Sequence, residues 1–121
     1  MKRRGFNAAI AIARTLPDVE VTTAWGASAL KVGGKMFACE AINKSAEPNS
    51  MVVRMDKVQR DLLIEEEPGT YYLTGHYVDY PCVVVRLSRV SPEALGDLIR
   101  GAHRFVSATH PRRRTASTKK R

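Results

Sequence analysis

Apolar residues recur along this chain at two periods. Phe6, Ala9, Ile10 and Ala13 follow the spacing of one helix face and Pro17 stops the run, so a helix is predicted over residues 3–15, with Arg3, Asn7 and Arg14 on its opposite face. Beyond Pro17-Asp18 the period falls to two, through Val19, Val21, Thr22 and Thr23, then Trp25-Gly26, then the run Leu30 to Phe37. Gly33-Gly34 sits between two alternating stretches, as in a two-residue hairpin turn whose central positions both need positive φ. That turn predicts a register in which Val32 opposes Lys35, Lys31 opposes Met36 and Leu30 opposes Phe37. Leu30, Val32, Phe37 and Cys39 then face the core, and Lys31, Met36, Ala38 and Glu40 face away.

Residues 43–50 are polar and read as a surface loop. Met51 to Met55 is a predicted strand with Met51, Val53 and Met55 inward and Arg54 outward. Asp56 caps a short predicted helix to about Glu66, with Val58, Leu62 and Leu63 inward, and Pro68-Gly69 ends it. A second strand pair is expected at Thr70–Leu73 and Cys82–Leu87, with Val83, Val85 and Leu87 inward and Arg86 outward. The clearest element is last. Ser91 is its N-cap, Pro92 its first residue, and Leu95, Leu98, Ile99, Ala102, Phe105 and Val106 line one helical face. The order predicts an α+β fold, a largely antiparallel sheet with the N- and C-terminal helices packed on one face and the other face partly open. One domain over residues 1–110 and a basic disordered tail over 111–121 are expected, since Pro, Ser, Thr and cations replace apolar residues from His110 on.

The 121 residues suffice for one core without disulfide staples. Cys39 and Cys82 lie 43 residues apart within apolar runs, which suits free thiols in a reducing cytoplasm. No stretch approaches a membrane span. The first fifteen residues imitate a signal or transit peptide, but their removal would discard the first helix, so a cytoplasmic protein is expected. The net charge of +8 becomes informative once it is located. Residues 1–4 and 112–121 hold nine basic groups and no acid; the body has eleven against all twelve acids, a net of about minus one. Attraction to a polyanion must therefore come from the termini or from how the body's charges are distributed.

Leu16-Pro17, Val19, Trp25-Gly26, the run Leu30 to Ala38, His76-Tyr77, the run Val83 to Leu87, and Leu95, Leu98, Ile99 and Ala102 fall in the order expected of the MmcQ/YjbR family. The chain resembles that family over roughly residues 5–108. The resemblance implies a frataxin-like α+β fold and DNA binding through a double-wing arrangement. His103 departs from the aromatic that the family tends to place there, and no role is carried onto it. The frataxin likeness raises iron handling as an alternative, against which stand an acid-free first helix and a lone Glu65-Glu66-Glu67 run that cannot face one site.

Phosphates are met by cations at intervals along a surface. The outward set Lys31, Arg54 and Arg86, one from each of three strands, offers that pattern, with Lys35 beside a narrow turn and Arg112, Arg113 and Arg114 in the tail. The same cations would serve equally to solvate an uncovered face. All four tyrosines, Tyr71, Tyr72, Tyr77 and Tyr80, fall within ten residues around His76. Tyr72, His76 and Tyr77 are candidates for base stacking or a ligand pocket, against plain cross-strand packing. The histidines stand at no metal-ligand spacing and no nucleophile or phosphate-loop motif is present, so no enzyme and no cofactor are expected. DNA is the expected partner; a small-ligand or protein-interaction module using residues 71–80 is the alternative.

Overall fold

The computed structural model describes residues 5–24 and 26–109. Trp25, Arg112, Arg113, Arg114 and the expected tail lie outside the described residues. The elements are α1 (Phe6–Ala13), β1 (Val19–Ala24), β2 (Ala27–Val32), β3 (Lys35–Glu40), β4 (Ser50–Arg54), α2 (Lys57–Glu66), β5 (Tyr71–Tyr72), β6 (Cys82–Arg86) and α3 (Pro92–Thr109). The strands form one six-stranded sheet in the order β1-β2-β3-β4-β6-β5, every neighbouring pair antiparallel. This is the expected α+β architecture.

Period-two alternation decides which residues meet the helices. Met51 pairs with Val85 and Val53 with Val83, and all four are buried with Leu30, Ala38 and Leu87 against Phe6, Ala9 and Ala13 of α1 and Leu95, Ile99, Ala102 and Val106 of α3. α3 is held at its start by Ser91, whose Oγ accepts the Ala94 amide at 3.0 Å, and by Pro92 in the first turn. Its stripe from Leu95 to Val106 is buried as read, with Phe105 half-buried.

The hairpin register departs from the expectation by one residue. Val32 opposes Lys35 and Lys31 opposes Met36, but Leu30 opposes Ala38, not Phe37. The step is a β-bulge with Phe37 as the extra residue on β3. Phe37 and Ala38 are therefore both in the core, and Cys39 opposes Ala29 on the second face, where the unbroken register would have placed Ala38. The gain is a seat for the Phe37 ring, fully buried and edge-on to His103 with centroids 5.5 Å apart.

α2 starts as read, with the Asp56 carboxylate accepting the Gln59 amide at 2.8 Å, but it turns a different face inward. Val58 and Leu62 are 74% and 53% exposed, while Leu63 and Ile64 pack on the core and Arg60 is buried. The run Leu62-Leu63-Ile64 defines no unique face, and Arg60 can be buried because its guanidinium finds acceptors. Nη1 donates to the carbonyls of Val78 and Tyr80, at 3.1 and 3.0 Å, and Nε to Asp61 Oδ1 at 3.0 Å.

Over β4 and β6 the second sheet face is covered. Val52 and Val84, paired on that face, are 6% and 0% exposed. The segments 41–49 and 73–81 cover them and are tied together: Ser45 Oγ and Thr74 Oγ1 are 2.8 Å apart, and the Tyr72 hydroxyl accepts the Glu47 amide at 2.8 Å. No described helix is long and apolar enough to cross a membrane.

Candidate functional site

Two of the residues expected to meet a ligand are occupied within the fold. Arg86 Nε and Nη2 grip the Glu47 carboxylate at 2.9 and 2.7 Å, and Nη1 donates to the carbonyls of Pro68 and Gly69, both at 3.1 Å. Its guanidinium lies over the Tyr72 ring, 4.2 Å from the centroid, and the Tyr72 hydroxyl is 2.9 Å from Ser50 Oγ. Four of the five N–H donors of Arg86 are therefore engaged within the fold, and Tyr72 is a clamp on the 41–49 loop, not a ring free for a base. The hydrogen bond from Arg86 holds the Glu47 carboxyl below its ordinary range, and the same contact raises the guanidinium.

Lys31, Arg54 and Arg86 do not make a continuous positive surface. Arg54 opposes Cys82 and Arg86 opposes Ser50, so they stand at opposite ends of the β4–β6 pair. Lys31 is two strands away on β2, opposite Glu20 of β1.

Between them runs a groove. His76 and Tyr77, their rings edge-on with centroids 4.7 Å apart, stand over the face formed by Met36, Cys39 and Val52. With Arg54, Tyr80, Pro81 and Cys82 these residues enclose about 270 Å3. The same His76, Tyr77, Met36 and Cys39 border a wider hollow of about 610 Å3 that extends over Ala27 and Ala29 to Ile42 and Lys44. The bulge at Phe37 puts Cys39 here. Burial pushes the Cys39 thiol up to about 11, and it raises the Cys82 thiol and the Tyr77 hydroxyl as well. Both cysteines are free. Protonated thiols are weak nucleophiles, so neither cysteine is an activated one here.

The third feature is one end of the sheet. Gly33 and Gly34 turn at φ of 60° and 81°, with Lys35 exposed beside them. His103 Nε2 donates to the Pro17 carbonyl at 2.9 Å and its ring meets Phe37, which sets the last turns of α3 at the hairpin end. Arg14 and Lys35 are exposed there, in the company of Asp18 and Glu20, and Arg104, next to His103 along α3, is exposed on the side of that helix that borders Gln59 of α2.

The YjbR family profile matches residues 14–105. The chain belongs to the YjbR family. Among its relatives, the uncharacterised proteins Rv2570 of Mycobacterium tuberculosis (strain H37Rv) and Mb2600 of Mycobacterium bovis are each 32% identical over 102 residues, covering 73% of this chain and 79% of theirs. The fold is similar to the crystal structure of Deinococcus radiodurans protein DR2400, a DUF419 domain, with a TM-score of 0.71, 22% identity, and coverage of 86% of this chain and 79% of that one. The YjbR match spans both the groove and the hairpin end.

Sequence reasoning missed two residues that shape this site. Arg60 could have been found by angle: at about 100° per residue it lies between Leu63 and Ile64 on the helical wheel, which marks it as an inward cation needing acceptors. Glu47 left no such signal. It stands in a polar loop 39 residues from Arg86, and only the folded chain brings the two together.

Proposed function

We propose that this YjbR-family chain binds duplex DNA, mainly through phosphate contacts, from the hairpin end of the sheet. The reading moves the interface expected on the sheet face. Arg86 and Tyr72 serve the fold, while Lys35 at the glycine turn, Arg14 and Arg104 carry the exposed charge. The observation that carries the proposal is the pair of His103 contacts, to Pro17 and to Phe37, which sets the end of α3 beside the turn. Past Thr109 the sequence holds six basic residues and no acid. Backbone-directed binding needs cations at one end more than it needs base-reading side chains. Asp18 and Glu20 at the same end moderate the field and argue for modest affinity.

The test is fluorescence anisotropy on a short duplex across a salt series with the full chain. Affinity should fall steeply with salt, and the double variant Lys35→Glu, Arg104→Glu should bind more weakly with a logarithmic slope shallower by about two. Binding that ignores salt, or a double variant indistinguishable from its parent, would sink the proposal.

A further inference from the structure

Three arginines of the body are partly or fully withdrawn from solvent. Arg60 and Arg86 have acceptors for their buried nitrogens, as described above. Arg54 does not: its Nε is buried and meets no acceptor among the described residues. A buried donor left unpaired is costly and in folded proteins asks for an explanation, such as strain, an ordered water or a bound group. By the pleat Arg54 belongs to the second face, opposite Cys82 across β4–β6, where its charge counters the effect of burial on the Cys82 thiol, and it also borders the hollow beside Gln59 and Asp97. It is therefore a wall of the groove under His76 and Tyr77.

The other walls of that inner space are Met36, Cys39, Val52, Tyr77, Tyr80, Pro81 and Cys82, with His76 at the side and no carboxylate. One half-buried guanidinium facing apolar walls matches a single negative charge on an apolar body. A dianion would require a second cation, and Lys44, the nearest candidate in the outer hollow, shares it with Glu40. Arg54 and Ala29 are two strands apart and offset along the strands by about two residues, so the floor from the cation to the far end is about 12 Å long. Met36 and the small side chains of Ala27 and Ala29 leave that floor adaptable and shallow.

We infer that this groove binds a small monocarboxylic acid, its carboxylate on Arg54 and its aliphatic or aromatic body lying over Met36, Cys39 and Ala29 beneath Tyr77. The site is separate from the hairpin end, and the inference does not depend on DNA binding.

The experiment follows backbone amide shifts of the isotope-labelled full chain during titration with octanoate, naphthoate, octanol and octyl phosphate. At least one of the two carboxylates should shift Ala29, Met36, Cys39, Val52 and Tyr77 saturably, and octanoate should bind about tenfold or more tighter than octanol, the advantage of a charge-assisted hydrogen bond. Arg54→Gln should erase that advantage and Arg54→Lys should keep part of it. The comparison of octanoate with octanol on the parent protein decides the matter even if the Arg54 variants fold poorly. Equal binding of acid and alcohol, saturable shifts confined to the hairpin end or α2, or no saturable shift with either carboxylate overturns the inference. Tighter binding of octyl phosphate overturns the assignment to a monoanion.

Discussion

Arg86 lies 4.2 Å from the centroid of the Tyr72 ring while its outer edge holds both oxygens of the Glu47 carboxylate, at 2.9 and 2.7 Å. One guanidinium thus joins β6, β5 and the 41–49 loop, and closes the β4–β6 end of the second sheet face. Arg86→Gln should lower stability by about 1–2 kcal/mol, the solvent-discounted loss of a stacked, bidentate contact. Arg86→Lys should not restore it, because an ammonium cannot make the planar fork. Urea denaturation of the two variants checks both statements, and a neutral Arg86→Gln would mean that the clamp is ornamental.

The same pair sets an acid dependence. The folded state holds the Glu47 carboxyl below its ordinary value of 4.5, so its contribution to stability is complete above that value and is lost as pH falls through the lower, folded one. Glu47→Gln should therefore lose less stability than the parent on acidification from about pH 5 to about pH 3. Parallel curves for parent and variant in that window would contradict the assignment.

Arg60 fastens the segment that roofs the groove, through the carbonyls of Val78 and Tyr80. Arg60→Met keeps the buried stem and removes the donors, so the Val78 carbonyl loses this partner while the Tyr80 carbonyl keeps the Cys82 amide at 2.8 Å. A loss of about 1–2 kcal/mol is expected. Amide exchange and proteolytic cleavage should quicken first in residues 74–81, while α3 stays protected. Uniform quickening throughout the domain would show that Arg60 supports the core as a whole.

Cys39 should be slow to react in the native protein. Its thiol is pushed up to about 11 by burial, with Cys82 and Glu40 adding to the rise. Alkylation near pH 8 should modify it far more slowly than a free thiol, and faster as pH climbs toward 11. After denaturation without reductant, two thiols should titrate. Rapid native labelling of Cys39 near neutral pH would mean that the groove opens more widely than its walls suggest.

The hairpin turn gives a clean backbone test. A Cβ at Gly34 would meet no atom within 4 Å, so only its φ of 81° resists substitution. Gly34→Ala should cost about 1–2 kcal/mol and Gly34→Asn less, since Asn tolerates the left-handed region. Thermal denaturation reads this directly; a neutral Gly34→Ala would mean that the turn relaxes to another type.

How much of this was legible in the chain differs from element to element. The stripe from Leu95 to Val106, the Ser91-Pro92 start, the alternation in β4 and β6 and the glycine turn are local patterns that repeat with the backbone's own period, so the sequence by itself determined an antiparallel α+β fold. Near the turn it also determined the register, through Val32 with Lys35 and Lys31 with Met36. Three residues farther on, the bulge at Phe37 exchanged the faces of Ala38 and Cys39. Nothing local signals a bulge that exists to seat a ring against His103, 66 residues away. The face of α2 was decided in the same way, by carbonyls at Val78 and Tyr80 that made burial of Arg60 affordable. Above all, the roles of the cations belonged to the tertiary structure. Lys31, Arg54 and Arg86 look alike in an alternating pattern, yet Arg86 is spent on Glu47, Lys31 stands across from Glu20, and Arg54 is left with a buried nitrogen at a groove, because the strength of a charge depends on which acceptors and how much water the folded chain brings to it.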